Sequence, residues 1–131
     1  MKNREFLEAI SPVLMKRSEV KVVSRKEDCN GISSCMYRKN GKAEDVSPSN
    51  VCFVGALIKP EYYKPGFEKG GVFWKGVGIA VAKSIGGKRL SEVQLLLLAD
   101  IQAIHDEDHP EQWKKLLTEE LEDFEKKHCR R

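Results

Sequence analysis

The chain has 131 residues and a formal net charge of +3, with 40% apolar and 33% charged residues. This length suits a single domain over residues 1–131, and the apolar fraction is sufficient for one core. The charged fraction favours a helix-rich fold over a β-sandwich, and the small net charge argues against a dedicated nucleic-acid-binding protein.

Residues 20–46 predict a small β-element. Val20–Ser24 is β-branched and reads as a short strand. Two polar segments, residues 32–38 and 42–46, flank the dipeptide Asn40-Gly41, which is a strong signal for a tight hairpin turn. We therefore predict a small, exposed β-hairpin near residues 20–46, with a turn at Cys29 before the first of the two polar segments.

Three helices are predicted outside this element. Glu5–Ile10 carries apolar residues at helical spacing, and Pro12 interrupts the pattern, either as a kink within one helix or as the first residue of a second. Ser47 and Pro48 begin a second helix, with serine as the N-cap and proline at the first position. Phe73–Ile85 reads as a third helix.

The last third of the chain predicts two further helices. Ser91 and Gln94 form a capping box at the start of Ser91–Ile104, the most apolar helix, which we place at the centre of the core. Asp108 and Glu111 mark the last helix in the same way. The predicted fold class is mainly α (α+β), with four to five helices around this central helix and the small β-hairpin.

No segment indicates membrane insertion, export or a cofactor, and no segment has the spacing of a recognised metal-binding motif. The start of the chain lacks the apolar run of a signal peptide, and Leu95–Ala99 is too short to cross a bilayer. We therefore expect a cytoplasmic protein with reduced cysteines. Cys29 and Cys35 lack paired Cys-x-x-Cys spacing, so a metal site there is the less favoured alternative. Gly76-Val-Gly78 lacks the preceding strand and the third glycine of a dinucleotide-binding motif.

Two short motifs resemble a small domain family found in bacterial and phage genomes. The segment Cys52–Leu57 matches the Cys-x-x-Gly-Ala-Leu helix of that family. His105-Asp106 stands where the family has an Asn-Asp turn, and it departs from the family because histidine replaces asparagine. The resemblance implies a bacterial or phage-encoded accessory protein. The family carries no known activity, so the resemblance adds an architecture but no reaction.

An aromatic and basic loop after Pro60 gives the main functional hypothesis. Exposed aromatic side chains interleaved with lysines suit contact with a protein or stacking on bases. We predict a binding or inhibitory module with a protein partner, whose contact residues are Tyr62, Tyr63, Lys64, Phe67, Lys69 and Trp74. Because Tyr62 and Tyr63 are adjacent, we expect at most one of the two rings to enter the core. The alternative is that the loop folds back as a lid.

A weaker hypothesis is nucleic-acid binding. Its basic contact residues would be Lys59, Lys64, Lys69, Lys75, Lys83, Lys88 and Arg89. Such binding would weaken steeply with salt.

A cysteine-dependent hydrolase or transferase is the alternative function. A thiol near a helix start can be a nucleophile, so Cys52 would attack, His105 would be its base and Asp106 would orient the imidazole. Against this, cysteine is commonly a buried core residue, and short acidic side chains commonly cap polar turns. We favour a protein that is not an enzyme. The sequence leaves open the partner, the oligomeric state and whether His105, Asp106 and His109 bind a metal.

Overall fold

The computed structural model of the protein describes residues 1–27, 33–69, 72 and 76–129. The helices in this part of the chain are α1 Asn3–Ser18, α2 Phe53–Ala56, α3 Val77–Ser84, α4 Glu92–Glu107 and α5 Trp113–His128. Short 3₁₀ helices cover Pro48–Asn50, Pro60–Tyr62, Pro65–Lys69 and Pro110–Gln112. The prediction of a mainly helical protein is confirmed, whereas the single domain over 1–131 stays a prediction.

The α+β class with a β-hairpin is wrong. Val20–Ser24 forms no strand, and residues 42–46 turn instead of pairing. The turn is held by the carboxylate of Asp45, which accepts hydrogen bonds from Nδ2 of Asn40 at 2.6 Å and of Asn50 at 3.1 Å. These local side-chain bonds compete with strand formation.

Strand pairing in the described residues is confined to one very short ladder. Arg25–Glu27 (β1) and Ser33–Cys35 (β2) pair antiparallel over three residue pairs. A ladder of this length adds no layer to the fold. The predicted turn at Cys29 lies outside the described residues.

Of the two alternatives at Pro12, the structure has one continuous helix and no second helix beginning there. Pro12 lies inside α1, whose side chains Phe6, Ile10 and Leu14 are fully buried along one face. Proline inside a helix costs ~3 kcal/mol or more, and burial of this apolar face offsets that cost. α1 packs against α2 and α5.

The second helix begins later than predicted and is only four residues long. Ser47 makes no side-chain cap, and Val51 is extended, with φ −129° and ψ 142°. The carbonyl of Val51 accepts a hydrogen bond of 2.8 Å from the buried guanidinium of Arg17. Cys52 is the N-cap of α2 instead, because its Sγ accepts from the N–H of Gly55 at 3.3 Å.

The fourth helix lies in the core and begins as predicted. The capping box is present, since Ser91 Oγ accepts from the N–H of Gln94 and Gln94 Oε1 accepts from the N–H of Ser91. Leu98 and Ile101 are fully buried, and α4 packs against α2 and α5.

The predicted N-cap of the last helix is wrong. Asp108 ends α4, and His109 caps the following 3₁₀ turn by accepting from the N–H of Glu111 at 3.2 Å. Pro110 occupies the first position of that turn. α5 then begins at Trp113, whose Nε1–H donates to the carbonyl of Asp108 at 3.2 Å.

Candidate functional site

The described part of the aromatic loop, residues 61–69, is shaped by two 3₁₀ turns that each begin with proline, Pro60–Tyr62 and Pro65–Lys69. Proline suits the first helical position because its fixed φ is already helical. Tyr63 and Phe67 are buried, and their rings meet edge to face with centroids 5.9 Å apart. Tyr62 is partly exposed. The expectation that only one of the two tyrosine rings enters the core is therefore confirmed.

A carboxylate under the loop ties it to the preceding segment. Glu68 accepts hydrogen bonds from the backbone N–H groups of Tyr37 and Arg38, both at 2.8 Å, and from the hydroxyl of Tyr63 at 2.5 Å. Burial, followed by the hydrogen bond to Glu68, raises the pKa of Tyr63 above its ordinary value. The phenol therefore stays protonated and keeps donating to the carboxylate.

The buried Arg38 also stabilises this hydrogen-bonded group, and Tyr63, Glu68 and Arg38 together form what we call the anchor of the loop. The guanidinium of Arg38 donates to the carbonyls of Ala43, Gly55 and Ile58 at 2.9, 2.8 and 2.6 Å. It also lies 5.0 Å from the ring centroid of Tyr63. Burial lowers the pKa of Arg38, and the nearby Tyr63 and Glu68 act in the opposite direction. Charged groups with this many hydrogen bonds fix the backbone around them.

A cleft of about 570 Å³ opens between the aromatic loop and α3. It is lined by Glu61, Tyr62, Lys64, Phe67, Gly76, Ile79, Ala80 and Lys83. The Nζ of Lys83 lies 6.0 Å from the ring centroid of Tyr62, and Ile79 is 47% exposed. The cleft thus presents an aromatic ring, an aliphatic side chain and ammonium groups together.

Gly76, which lines the cleft and precedes α3, occupies a position that only glycine fits without strain. Its φ of 95° is in the left-handed region, which favours glycine. A Cβ at this position would lie 3.1 Å from Cε1 of Phe67. Any other residue here would therefore strain the backbone and press on the buried ring below the cleft.

The predicted contact residues are only partly brought together. Tyr62 and Lys64 line the cleft, whereas Phe67, which also lines it, and Tyr63 are both buried in the core. Lys69 ends the second 3₁₀ turn. Trp74 and Lys75 lie outside the described residues.

The predicted catalytic histidine is a fully buried residue at the centre of an aromatic and polar cluster. Nε2 of His105 accepts from the backbone N–H of Ser24 at 3.1 Å, and Nδ1 lies 2.8 Å from Oδ1 of Asp106. This pattern assigns the proton to Nδ1. The imidazole stacks on Trp113, with centroids 5.3 Å apart and planes 22° apart, and meets Phe53 edge to face.

Two further buried polar residues extend this cluster. Gln102 accepts from the N–H of Val54 at 3.2 Å and donates to Asp106 at 3.1 Å. The guanidinium of Arg17 lies 5.6 Å from the ring centroid of Trp113. Both residues were missed from the sequence, although each occupies a buried-face position: Arg17 follows Leu14 by three residues, and Gln102 follows Leu98 by four.

The predicted nucleophile is the buried N-cap of a short helix. The backbone N–H of Cys52 donates to the carbonyl of Met36 at 3.1 Å, while Sγ accepts from Gly55. Proton transfer from this thiol to Nε2 of His105 would require the bond from Ser24 to break. Within the described residues, no group of three or more His, Cys, Asp and Glu side chains is arranged to hold a metal ion.

Comparisons with known proteins identify no relative. No protein-family model matches the chain, and no curated protein or solved structure is significantly similar to it. The resemblance to the bacterial and phage domain family therefore stays a prediction. No helix in the described ranges is long and apolar enough to span a membrane.

Proposed function

We propose that the protein is a small cytoplasmic binding or inhibitory module that holds a protein partner in the cleft between the aromatic loop and α3. One observation carries this proposal. The partly exposed Tyr62 and the exposed Ile79 line the cleft, and the loop is fixed by the buried Tyr63 and Arg38 together with the half-buried Glu68.

A fixed loop favours binding because less conformational freedom is lost when the partner docks. Partly exposed tyrosine is a common energetic centre of protein interfaces. Ile79 adds apolar area, and Lys64 and Lys83 add charges that select the partner's orientation. Binding alone accounts for the residues that line the cleft, without a catalysed reaction.

Affinity capture from a lysate of the host cell, after nuclease treatment, tests this proposal. We expect the protein to retain a partner that Tyr62→Ala, Ile79→Ser and Lys83→Glu lose without a change in thermal stability. Val22→Ser is the matched control for Ile79→Ser, because the two side chains are 46% and 47% exposed. Lys88→Glu, an exposed lysine outside the cleft, is the control for Lys83→Glu.

Two outcomes contradict the proposal. If the cleft variants retain the same proteins as the controls, the cleft is not the contact surface. If the retained material is nucleic acid that dissociates steeply with added salt, the basic residues serve the nucleic-acid hypothesis instead.

The cysteine-dependent enzyme is a second candidate, supported by the contact between His105 and Asp106. Its test is the alkylation rate of Cys52 at neutral pH, in a variant whose other three cysteines are serine. Alkylation as fast as that of a free low-pKa thiol favours the enzyme. Strong protection in the folded state, lost on unfolding, favours a core thiol.

A further inference from the structure

A second groove lies between α4 and α5 and has an apolar floor. Leu96, Leu97 and Phe124 line it, and Leu96 is 48% exposed. Its volume is about 210 Å³. Since an apolar cavity of about 150 Å³ takes a benzene ring, this groove has room for one side chain of leucine or phenylalanine size.

Carboxylates surround this apolar floor. Asp100 from α4 and Glu120 and Asp123 from α5 line the groove. Two basic side chains, Lys127 and His128, also line the groove, and Lys127 already pairs with Asp123 at 3.0 Å. The groove is therefore negative, whereas the whole chain carries a net charge of +3.

The carboxylates are close enough to affect one another. Partial burial, followed by the charges of Asp100 and Asp123, raises the pKa of Glu120. A cation placed among these groups would relieve the repulsion and stabilise the ionised form of Glu120. The groove thus favours a positive ligand on electrostatic grounds and an apolar ligand on steric grounds.

We propose that the groove between α4 and α5 binds a short basic segment of a partner protein, which inserts one apolar side chain between Leu96 and Phe124 and places flanking lysine or arginine side chains against Asp100 and Glu120. The groove shares no lining residue with the cleft beside the aromatic loop, so binding in the groove does not depend on that cleft.

Charge complementarity selects this occupant. A bare metal ion would leave the apolar floor unused, and the described residues offer no metal-binding group there. An acidic or neutral peptide would desolvate the carboxylates without compensation. A segment with an apolar side chain between basic ones satisfies both the floor and the rim.

The test uses the labelled peptide Lys-Lys-Leu-Lys-Lys and two control peptides, one with serine in place of leucine and one with glutamate in place of every lysine. Binding is followed by fluorescence anisotropy, and the site is located by backbone amide NMR shifts. We expect the basic leucine peptide to bind and to shift the amide signals around Leu96, Asp100 and Glu120. Its affinity should fall as salt is added. Both control peptides should bind at least about tenfold more weakly.

Variants of the full chain locate the interaction. Asp100→Asn combined with Glu120→Gln should lower the affinity for the basic leucine peptide by about tenfold or more. Leu96→Ser should lower this affinity as well. Glu44→Gln, an exposed change outside the groove, should leave the affinity unchanged. Circular dichroism melts check that the variants remain folded.

Three results overturn the proposal. The first is the absence of saturable binding by the basic leucine peptide. The second is binding that maps outside the groove or is insensitive to the paired carboxylate change. The third is a concentration-dependent dimer in sedimentation that Leu96→Ser makes monomeric, because a second copy of the chain would then be the occupant.

Discussion

The backbone N–H of Ser24 donates a hydrogen bond of 3.1 Å to Nε2 of His105, 81 residues further along the chain. Both groups are fully buried. This bond joins the segment after α1 to the last turn of α4, and it uses the lone pair that a general base would need. The bond gives His105 a structural role that can be measured directly.

We expect His105→Ala to lower the free energy of unfolding by roughly 2–4 kcal/mol, because it leaves a cavity beside Trp113 and an unsatisfied buried N–H at Ser24. Urea unfolding of both proteins measures the change. Glu107→Ala, an exposed change on the same helix, is the control and should have little effect. A stable His105→Ala protein that loses a thiol-dependent activity would instead support the enzyme hypothesis.

Gly55 is required because α2 lies against the backbone of Tyr37. A Cβ at Gly55 would lie 2.5 Å from the carbonyl oxygen and 2.8 Å from Cα of Tyr37. Gly66, by contrast, has nothing within 4 Å of a Cβ and no positive φ. We expect Gly55→Ala to destabilise by about 1–3 kcal/mol or more, and Gly66→Ala to be neutral or slightly stabilising. Equal denaturation midpoints for the two variants would contradict this close approach.

The parts of the fold that were predictable from the sequence depend on residues close together in the chain. The capping box of Ser91 and Gln94 and the start of α4 follow from local spacing, whereas α4 extends to Glu107, three residues beyond the predicted end at Ile104. The errors arise where distant contacts override local signals. α2 starts late because Arg17, 34 residues before Val51, holds that residue extended. Local helix propensity contains no information about a hydrogen bond between residues this far apart in the chain.

The candidate site shows the same division. The adjacent tyrosines predicted one buried and one partly exposed ring from the sequence alone. The anchor beneath them could not be predicted, because Glu68 accepts from residues about 30 positions earlier. Arginine and glutamate are usually exposed, so composition gave no reason to place Arg38 in the core.

Tyr63 makes the stability of the protein sensitive to alkaline pH. Its pKa is raised in the folded protein, first by burial and then by the hydrogen bond to Glu68. The unfolded chain releases this proton near pH ~10 while the folded protein still holds it. The stabilising contribution is therefore complete below the unfolded pKa and is lost as the pH rises towards the folded pKa.

Urea unfolding at a series of alkaline pH values checks this dependence. We expect the free energy of unfolding of the native protein to fall above pH ~10, and Tyr63→Phe to fall less over the same range. At neutral pH, Tyr63→Phe should cost ~1.5–3 kcal/mol because the bond to the Glu68 carboxylate is lost. Tyr62→Phe is the control, since its ring is partly exposed and lies outside the anchor. Parallel curves for the native protein and Tyr63→Phe would contradict the assignment.

Ser91 and Asp108, which the sequence predicted alike as N-caps, should behave differently on mutation. Ser91 Oγ accepts from the N–H of Gln94, and the Gln94 side chain donates in turn to the carbonyl of Met1 and to Asn3, each at 3.0 Å. Ser91→Ala should therefore cost about 0.5–2 kcal/mol and loosen the contact with the start of the chain. Asp108 is exposed and ends α4, while His109 caps the next turn, so Asp108→Ala should stay within about 0.5 kcal/mol. Urea unfolding of the two variants side by side distinguishes them, and an equal loss at both positions would restore Asp108 as a cap.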